Sequence, residues 1–419
     1  MFKIIHISDF HLETDSPSSD KLNLVKALAN DLHQYVDNNT IIVFTGDLLN
    51  KGGKDFKSST IEAFKLFEKV LFDEIITENP TIKNKIFVVP GNHDIVRDKI
   101  DSVSETGLAK ILASEKDVNE FISANRIKSK HIEQLEDYKL WEHGYYSTYQ
   151  NASLSNFDNS FIVELSGKKI GISCFNSSWL CRKKDDDKEN LIIGKTQILN
   201  SLNHIKDCEF KVAITHHPVE FLKDFDRDAV KIELFKNYNI LLTGHVHELS
   251  STYTQDLYGD IFISIANSTI ADESRDAKYY NGYNIIEFVP NEKVIVTYRK
   301  YLPNHEKFVA NTEIGNDTAI KEFPILKNEN LQNFYNLSSI VERINENHIE
   351  KLNNHIIVSS NSTNAHCTID NLFVAPRIYN CAENSFKEED TKEYTIESIL
   401  ESNANFLIYG QKESGKTIL

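Results

Sequence analysis

The sequence predicts an α/β protein in which two sheets pack face to face with helices outside, followed by a linker and a shorter terminal segment. Three observations lead there. Short β-rich runs alternate with amphipathic helical stretches over the N-terminal part, the pattern of βαβ units with largely parallel pairing. After a polar, helical interruption the β-rich runs resume in a number that suits two sheets better than one. Past Pro303 the composition shifts to Asn, Glu and Lys.

Taken in order, Phe2–Ser8 reads as a strand running into polar residues, and Lys21–Val36 sets Leu22, Val25, Leu28, Leu32 and Val36 at helical spacing. Ile41–Thr45 is a continuous apolar run of buried-strand type. Thr60–Ile76 is a second amphipathic helix, with Ile61, Phe64, Phe67, Val70 and Leu71 on one face, and Ile86–Val89 is a buried strand closed by Pro90 and Gly91. Residues 98–160 turn helical and polar and are read as an insertion that caps the site. Strands resume at Phe161–Leu165, Lys169–Phe175, Phe210–Thr215, Ile240–Thr243, Ile261–Ala266, Tyr283–Phe288 and Lys293–Tyr301, with a helix at Thr196–His204 among them. Arg182–Glu189 is a charged loop expected to be solvated. The expected division is a domain over 1–302, a linker over 303–371 with one helix near Leu331–Ile349, and a further segment over 372–419.

The 419 residues include 46 Lys plus Arg against 62 Asp plus Glu, a formal charge of −16. An acidic chain has no global pull on nucleic acid or anionic membrane, although a local site can invert the field. No apolar run is long enough to span a membrane, and MFKIIHISDF reads as a first core strand, not a signal peptide. Cys174, Cys181, Cys208, Cys367 and Cys381 are odd in number and lack CxxC spacing. That argues for free thiols in a reducing compartment, by default the cytoplasm.

Five short motifs follow β-rich runs in order: Asp9-Phe10-His11, Gly46-Asp47, Gly91-Asn92-His93-Asp94, His216, and Gly244-His245-Val246-His247. Loops at one end of a sheet converge, so residues far apart in sequence can build one pocket. Asp9 and His11 are two apart, which in extended backbone points both to one side. A carboxylate such as Asp47 has two oxygens and can bridge two cations, Asn92 offers an amide oxygen, and the histidines offer imidazole. Such mixed N/O donors suit manganese, iron or zinc better than calcium. DxH or GD alone means little, whereas GNHD is expected on the order of once in several hundred chains of this length from average composition.

These residues resemble the calcineurin-like metallophosphoesterase superfamily over about residues 1–300. The resemblance implies a four-layer α/β/β/α sandwich that binds two divalent ions, manganese foremost, and hydrolyses a phosphate ester. It implies that Asp9, His11 and His247 hold one ion and Asn92, His216 and His245 the other, with Asp47 between them. His93 is then the group facing the leaving oxygen and Asp94 the residue that orients its ring. His217 reads as packed beside a ligand, His6, His33 and His204 as packing residues, and Asn176–Trp179 either as a loop lining the pocket or as an ordinary turn. The substrate classes it leaves open are a phosphodiester, in nucleic acid or a cyclic nucleotide, a phosphomonoester or phosphoprotein, and none at all in an idle metal-bound scaffold.

Residues 410–417 match GxxxxGK[ST], directly after the apolar run Asn405–Tyr409. In a working phosphate-binding loop, Gly410 and Gly415 let the backbone cradle phosphates, Lys416 reaches them and Thr417 touches magnesium. The segment reads as the start of a P-loop NTPase domain cut off after this motif. ATP or GTP with magnesium is its expected cofactor, and oligomers would form through the missing part.

Overall fold

The computed structural model describes residues 2–127, 132–184, 187–247, 249–269, 280–289, 292–314 and 317–325, with the backbone of 378–379 and 393–394. The stretches read as a helix at Leu331–Ile349, as the strand at Asn405–Tyr409, and as a phosphate-binding loop at Gly410, Gly415, Lys416 and Thr417 lie outside the described residues.

Runs of Ile, Val and Phe with few polar interruptions form the middle of the first sheet. Strand β1 (Phe2–Ile7) is followed by α1 (Ser19–Leu32), β2 (Thr40–Phe44), α2 (Thr60–Phe67), α3 (Asp73–Glu78) and β3 (Ile86–Val88). The three strands are parallel in the order β1-β2-β3. Ser18 caps α1 by accepting Lys21 N–H at 3.2 Å, the ordinary use of serine at a helix start. The helix expected over Thr60–Ile76 is broken by a π turn at Glu68–Phe72. The wider turn lays Phe72 on Phe44 at 5.1 Å between ring centroids, beside Phe67.

The insertion carries α4 (Ser102–Ile111), α5 (Glu115–Asn125) and α6 (Glu136–Tyr145), then a short β4 (Ala152–Ser153). It is more a clasp than a cap. Trp141 of α6 stacks on Phe64 of α2 at 5.3 Å, and Phe121 of α5 stacks on Trp179 at 5.5 Å. The two helices thus grip opposite flanks of the domain, and α4 borders a cleft beside Trp179–Arg182.

The second sheet follows with β5 (Asp158–Leu165), β6 (Lys168–Phe175), α7 (Lys195–His204), β7 (Phe210–Ile214), α8 (Asp224–Asn237), β8 (Ile240–Thr243), β9 (Ser250–Gln255) and β10 (Asp260–Ile265). Its order is β4-β5-β6-β7-β8-β10-β9, with β6, β7, β8 and β10 parallel. The chain then returns to the first sheet as β11 (Gly282–Val289), β12 (Lys293–Leu302), β13 (Lys307–Ala310) and β14 (Ile320–Pro324), giving β13-β12-β11-β1-β2-β3 with β14 also on β12. The last two strands lie in the stretch read as linker, and the compact unit runs to Ile325, not 302. A second unit, Leu326–Leu419, contains an antiparallel pair, β15 (Ile378–Tyr379) with β16 (Glu393–Tyr394).

The sheets meet face to face. Phe2 of β1 packs on Phe210 of β7 at 4.9 Å, and Phe210 on Phe288 of β11 at 4.2 Å. On the outer side of the first sheet, Asp31 of α1 accepts Tyr283 OH at 2.5 Å and the Arg299 guanidinium at 2.9 and 2.5 Å. Both charged partners are buried, so removing one strands the other in a dry site. Asp31→Ala is expected to lower unfolding stability by about 3–5 kcal/mol. Urea denaturation of the intact chain, followed by fluorescence of Trp141 and Trp179, reads this, and a loss near zero would contradict it.

Candidate metal centre

Within each sheet, parallel strands send their carboxyl ends to one rim, and the motif loops all leave from those ends. Asp9 and His11 follow β1, Asp47 follows β2, and Asn92, His93 and Asp94 follow β3. His216 follows β7, and His245 and His247 follow β8. The structure brings all of them together. The β1–β2 pairing continues past the strands, with Asp9 N donating to Gly46 O at 3.0 Å and His11 N to Asp47 O at 2.9 Å.

The backbone there is not the extended segment that the DxH spacing suggested. Asp9, His11, Asp47, His245 and His247 have φ of 53°, 48°, 55°, 70° and 55°. Left-handed backbone costs a non-glycine residue about 1–3 kcal/mol and persists where surrounding structure over-determines it. Here it turns both members of each two-apart pair into the same pocket. Glycine is required at two places. Gly46 has φ 96°, and at Gly91 a Cβ would stand 2.0 Å from Asp47 Oδ1.

The donors form two groups that share Asp47. In the first, His247 Nε2 is 3.1 Å and His11 Nε2 3.8 Å from Asp9 Oδ1. In the second, Asn92 Oδ1 lies 3.0 Å from both His216 Nε2 and His245 Nδ1. Asp47 Oδ2 stands between them, 3.8 Å from His11 Nε2 and 3.5 Å from His216 Nε2. Ligand atoms of Asp9, His11 and His247 all fall within 4.8 Å of one another, as do those of Asp9, Asp47 and His216.

Two features show that these residues fit divalent cations. First, Asp9 and Asp47 are neighbouring buried carboxylates. Burial and the Asp9 charge push Asp47 well above the usual carboxylate range. Burial acts the same way on Asp9, but the His247 hydrogen bond and the surrounding imidazoles hold it below its ordinary value. Such a pair calls for positive charge. Second, His216 Nδ1 donates to Thr45 O at 2.5 Å, which leaves a lone pair on Nε2 facing Asn92 Oδ1. Two acceptors 3.0 Å apart gain only if an electron-poor centre lies beside both. Burial lowers His11 to about 3, His216 to about 4 and His245 to about 3, so these rings are neutral at neutral pH, the form that can ligate a metal.

Asp94 is fully buried behind the loop that carries His93. Its oxygens accept Leu49 N–H at 2.9 Å and Gly91 N–H at 2.8 Å, so it laces the loop after β2 to the loop after β3. The ring of His93 takes Lys51 N–H on Nδ1 at 3.4 Å and packs edge-on to His11 at 4.9 Å. Residues that motif reading did not single out hold the loops. Lys21 Nζ donates to Phe10 O at 3.1 Å and His11 O at 2.6 Å. Ser268 Oγ donates to Asp9 O at 3.0 Å and Thr269 Oγ1 to Ser8 O at 2.7 Å. Ser178, in the loop expected to line the pocket, donates to Pro90 O at 2.8 Å. His217 packs beside His216 with Nδ1 2.9 Å from Ser177 Oγ. His6, His33 and His204 bond to Thr45, Glu78 and Ser160.

A family model described as Calcineurin-like phosphoesterase matches residues 2–249, a span that contains every donor above. An uncharacterized metallophosphoesterase-like protein of Bacillus subtilis, YydB, is 22% identical over 236 residues, 55% of this chain and 45% of its own length. The chain therefore spans about half of that relative. Among solved structures, the sulfate thiohydrolase SoxB of Thermus thermophilus is 10% identical with a TM-score of 0.37, covering 74% of this chain and 58% of its own. A Vps29 mutant of Entamoeba histolytica is 11% identical with a TM-score of 0.28, covering 77% and 98%.

Gly91→Ala tests the packing at the shared carboxylate, since the added methyl must displace Asp47. A misplacement of about 1 Å at a reacting centre can cost on the order of 10²-fold in rate. The variant is expected to melt cooperatively yet bind less metal and lose at least that factor. Full metal content with full turnover would refute the assignment.

Proposed function

Because the chain belongs to the calcineurin-like phosphoesterase family, we propose that it hydrolyses phosphate diesters at a dinuclear manganese centre. It would act as the phosphodiesterase or nuclease part of a larger protein switched by a nucleoside triphosphate. The observation that carries the first half is Asp47, whose Oδ2 stands between two groups of N/O donors. When bound, a pair of divalent ions supplies Lewis acidity and a water of lowered pKa. Asp9, His11 and His247 would hold one ion and Asn92, His216 and His245 the other. Their charges leave the pocket cationic within a chain of net charge −16, which draws a phosphate in.

His93 supports the catalytic reading over an idle metal-bound scaffold. Its Nδ1 accepts the Lys51 amide, so in the neutral ring Nε2 carries the proton and serves a leaving oxygen. Arg97 supports a diester over a monoester. Its guanidinium is committed to Arg182 O, Asn92 O and Asp187, and the Lys51 ammonium faces Asp55 at 3.9 Å. Neither side chain is set as a clamp for the second charge of a monoester. The phosphate-binding motif at Gly410, Gly415, Lys416 and Thr417 supports the second half of the proposal, with ATP or GTP and magnesium as its ligands and oligomers formed through that part. No helix among the described residues is long and apolar enough to cross a membrane, in keeping with a cytoplasmic site of action.

Asp47→Asn is expected to lose bound metal and turnover together, measured by elemental analysis and bis-p-nitrophenyl phosphate hydrolysis. His93→Ala is expected to keep its metal and lose about 10²–10⁴ in rate on substrates with a poor leaving group; full activity there would remove His93 from the mechanism. With manganese, bis- and mono-p-nitrophenyl phosphate, a cyclic nucleotide, and single- and double-stranded DNA separate the substrate classes. Cleavage of the monoester alone would overturn the diesterase reading, and silence on every substrate with two ions bound would favour a scaffold.

A further inference from the structure

Cys181, Asp187 and His217 form a cluster separate from the seven donors above. A ligand atom of each lies within 4.8 Å of the other two. All three are buried, at 3, 5 and 0% exposure, although the tract that contains Asp187 reads in sequence as a solvated loop. His217 ties the cluster to the loop after β7, and Cys181 and Asp187 lie in the loop between β6 and α7.

Two observations point to a cation. His217 Nδ1 is occupied by Ser177 Oγ at 2.9 Å, while Nε2, in a fully buried ring, has no hydrogen-bond partner. The donors are also a thiol, a carboxylate and an imidazole, the set that zinc takes in proteins. Asp187 accepts Arg182 N–H at 2.9 Å on Oδ1 and faces Arg97 Nη2 at 3.4 Å on Oδ2. The Cys181 thiol also donates to the Asp187 carboxylate, a bond that a bound ion would replace with thiolate and carboxylate ligation. Cys181 and Arg182 line a cleft of about 200 Å³ with Lys99, Glu105, Asn190 and Lys223, which provides an entry path and room for water. Zinc bonds of about 2.0–2.3 Å set tetrahedral neighbours roughly 3.5 Å apart, so side-chain atoms within 4.8 Å of one another need to close by at most about 1.3 Å.

We propose that Cys181, Asp187 and His217 hold a third divalent ion, zinc by its donor set, with a water from the cleft as fourth ligand. Binding exchanges the thiol proton, released to solvent, for the metal, since the thiolate is the ligand. A ring nitrogen of His217 also lies within 4.8 Å of ligand atoms of His216 and His245, so the site adjoins the dinuclear centre without sharing a ligand with it.

Cobalt distinguishes the two, because the dinuclear centre offers only nitrogen and oxygen. The full chain, stripped with chelator and titrated with Co²⁺, is expected to take up three equivalents, one of which brings a near-ultraviolet thiolate-to-cobalt charge-transfer band. Cys181→Ser should abolish that band and keep two equivalents with the melting temperature unchanged. Asp187→Asn should keep the band and weaken that equivalent at least tenfold. A wild-type protein without the band, or a band that survives in Cys181→Ser, overturns the site. Failure of the other two equivalents to bind would instead sink the dinuclear reading.

Discussion

Two carboxylates, Asp9 and Asp47, lie side by side and out of water at the rim where the two sheets meet, and most of the local structure answers to that placement. Like charges in a dry setting repel and resist ionisation, which is why Asp47 is driven upward. The fold holds them there regardless. Backbone bonds lock the loop after β1 to the loop after β2, Asp94 ties that pair to the loop after β3, and Ser268 and Thr269 fasten Asp9 and Ser8 from the other sheet. Left-handed backbone at five of the donor residues is a further cost accepted for the same geometry. A frame this committed to two adjoining buried carboxylates suits something positive beside them.

Much of this was legible in the chain because its signals are local. GNHD and GHxH are rare strings, each follows an apolar run, and parallel strands bring such positions to one rim. The donors therefore needed only their neighbours in sequence to be found. Geometry that depends on distant partners was not legible. Asp9-Phe-His11 reads as extended, yet the pairing with Gly46 and Asp47 forces positive φ. Asp94 reads as a partner for the next ring, and its bonds to the Leu49 and Gly91 amides show only in the folded chain. Lys21 belongs to a helix whose apolar face explains the segment without it. The strands β13 and β14 are short and charged, as edge strands tend to be, and so look like linker.

The charged tract after Cys181 shows the same limit from the other side. Composition places Arg182–Glu189 in water, and most such runs stay there. One residue of it, Asp187, turns inward to meet Arg97 and the Arg182 amide. A run of like residues thus hides one member with a different role, and only tertiary contact singles it out. The acidic balance of the whole chain is equally uninformative about the rim, where imidazole and amide donors outnumber carboxylates.

The donors are also divided between the layers. Asp9, His11, Asp47 and Asn92 come from the first sheet, and His216, His245 and His247 from the second. At the opposite edge, Phe2 and Phe210 at the amino ends of β1 and β7 and Phe288 near the carboxyl end of antiparallel β11 join the same two layers through their rings. The sandwich is thus hinged on oil at one end, and bound ions would latch it at the other. Chelation would then slacken the latch while the aromatic rings still join the layers, leaving the donor loops placed to take up metal again.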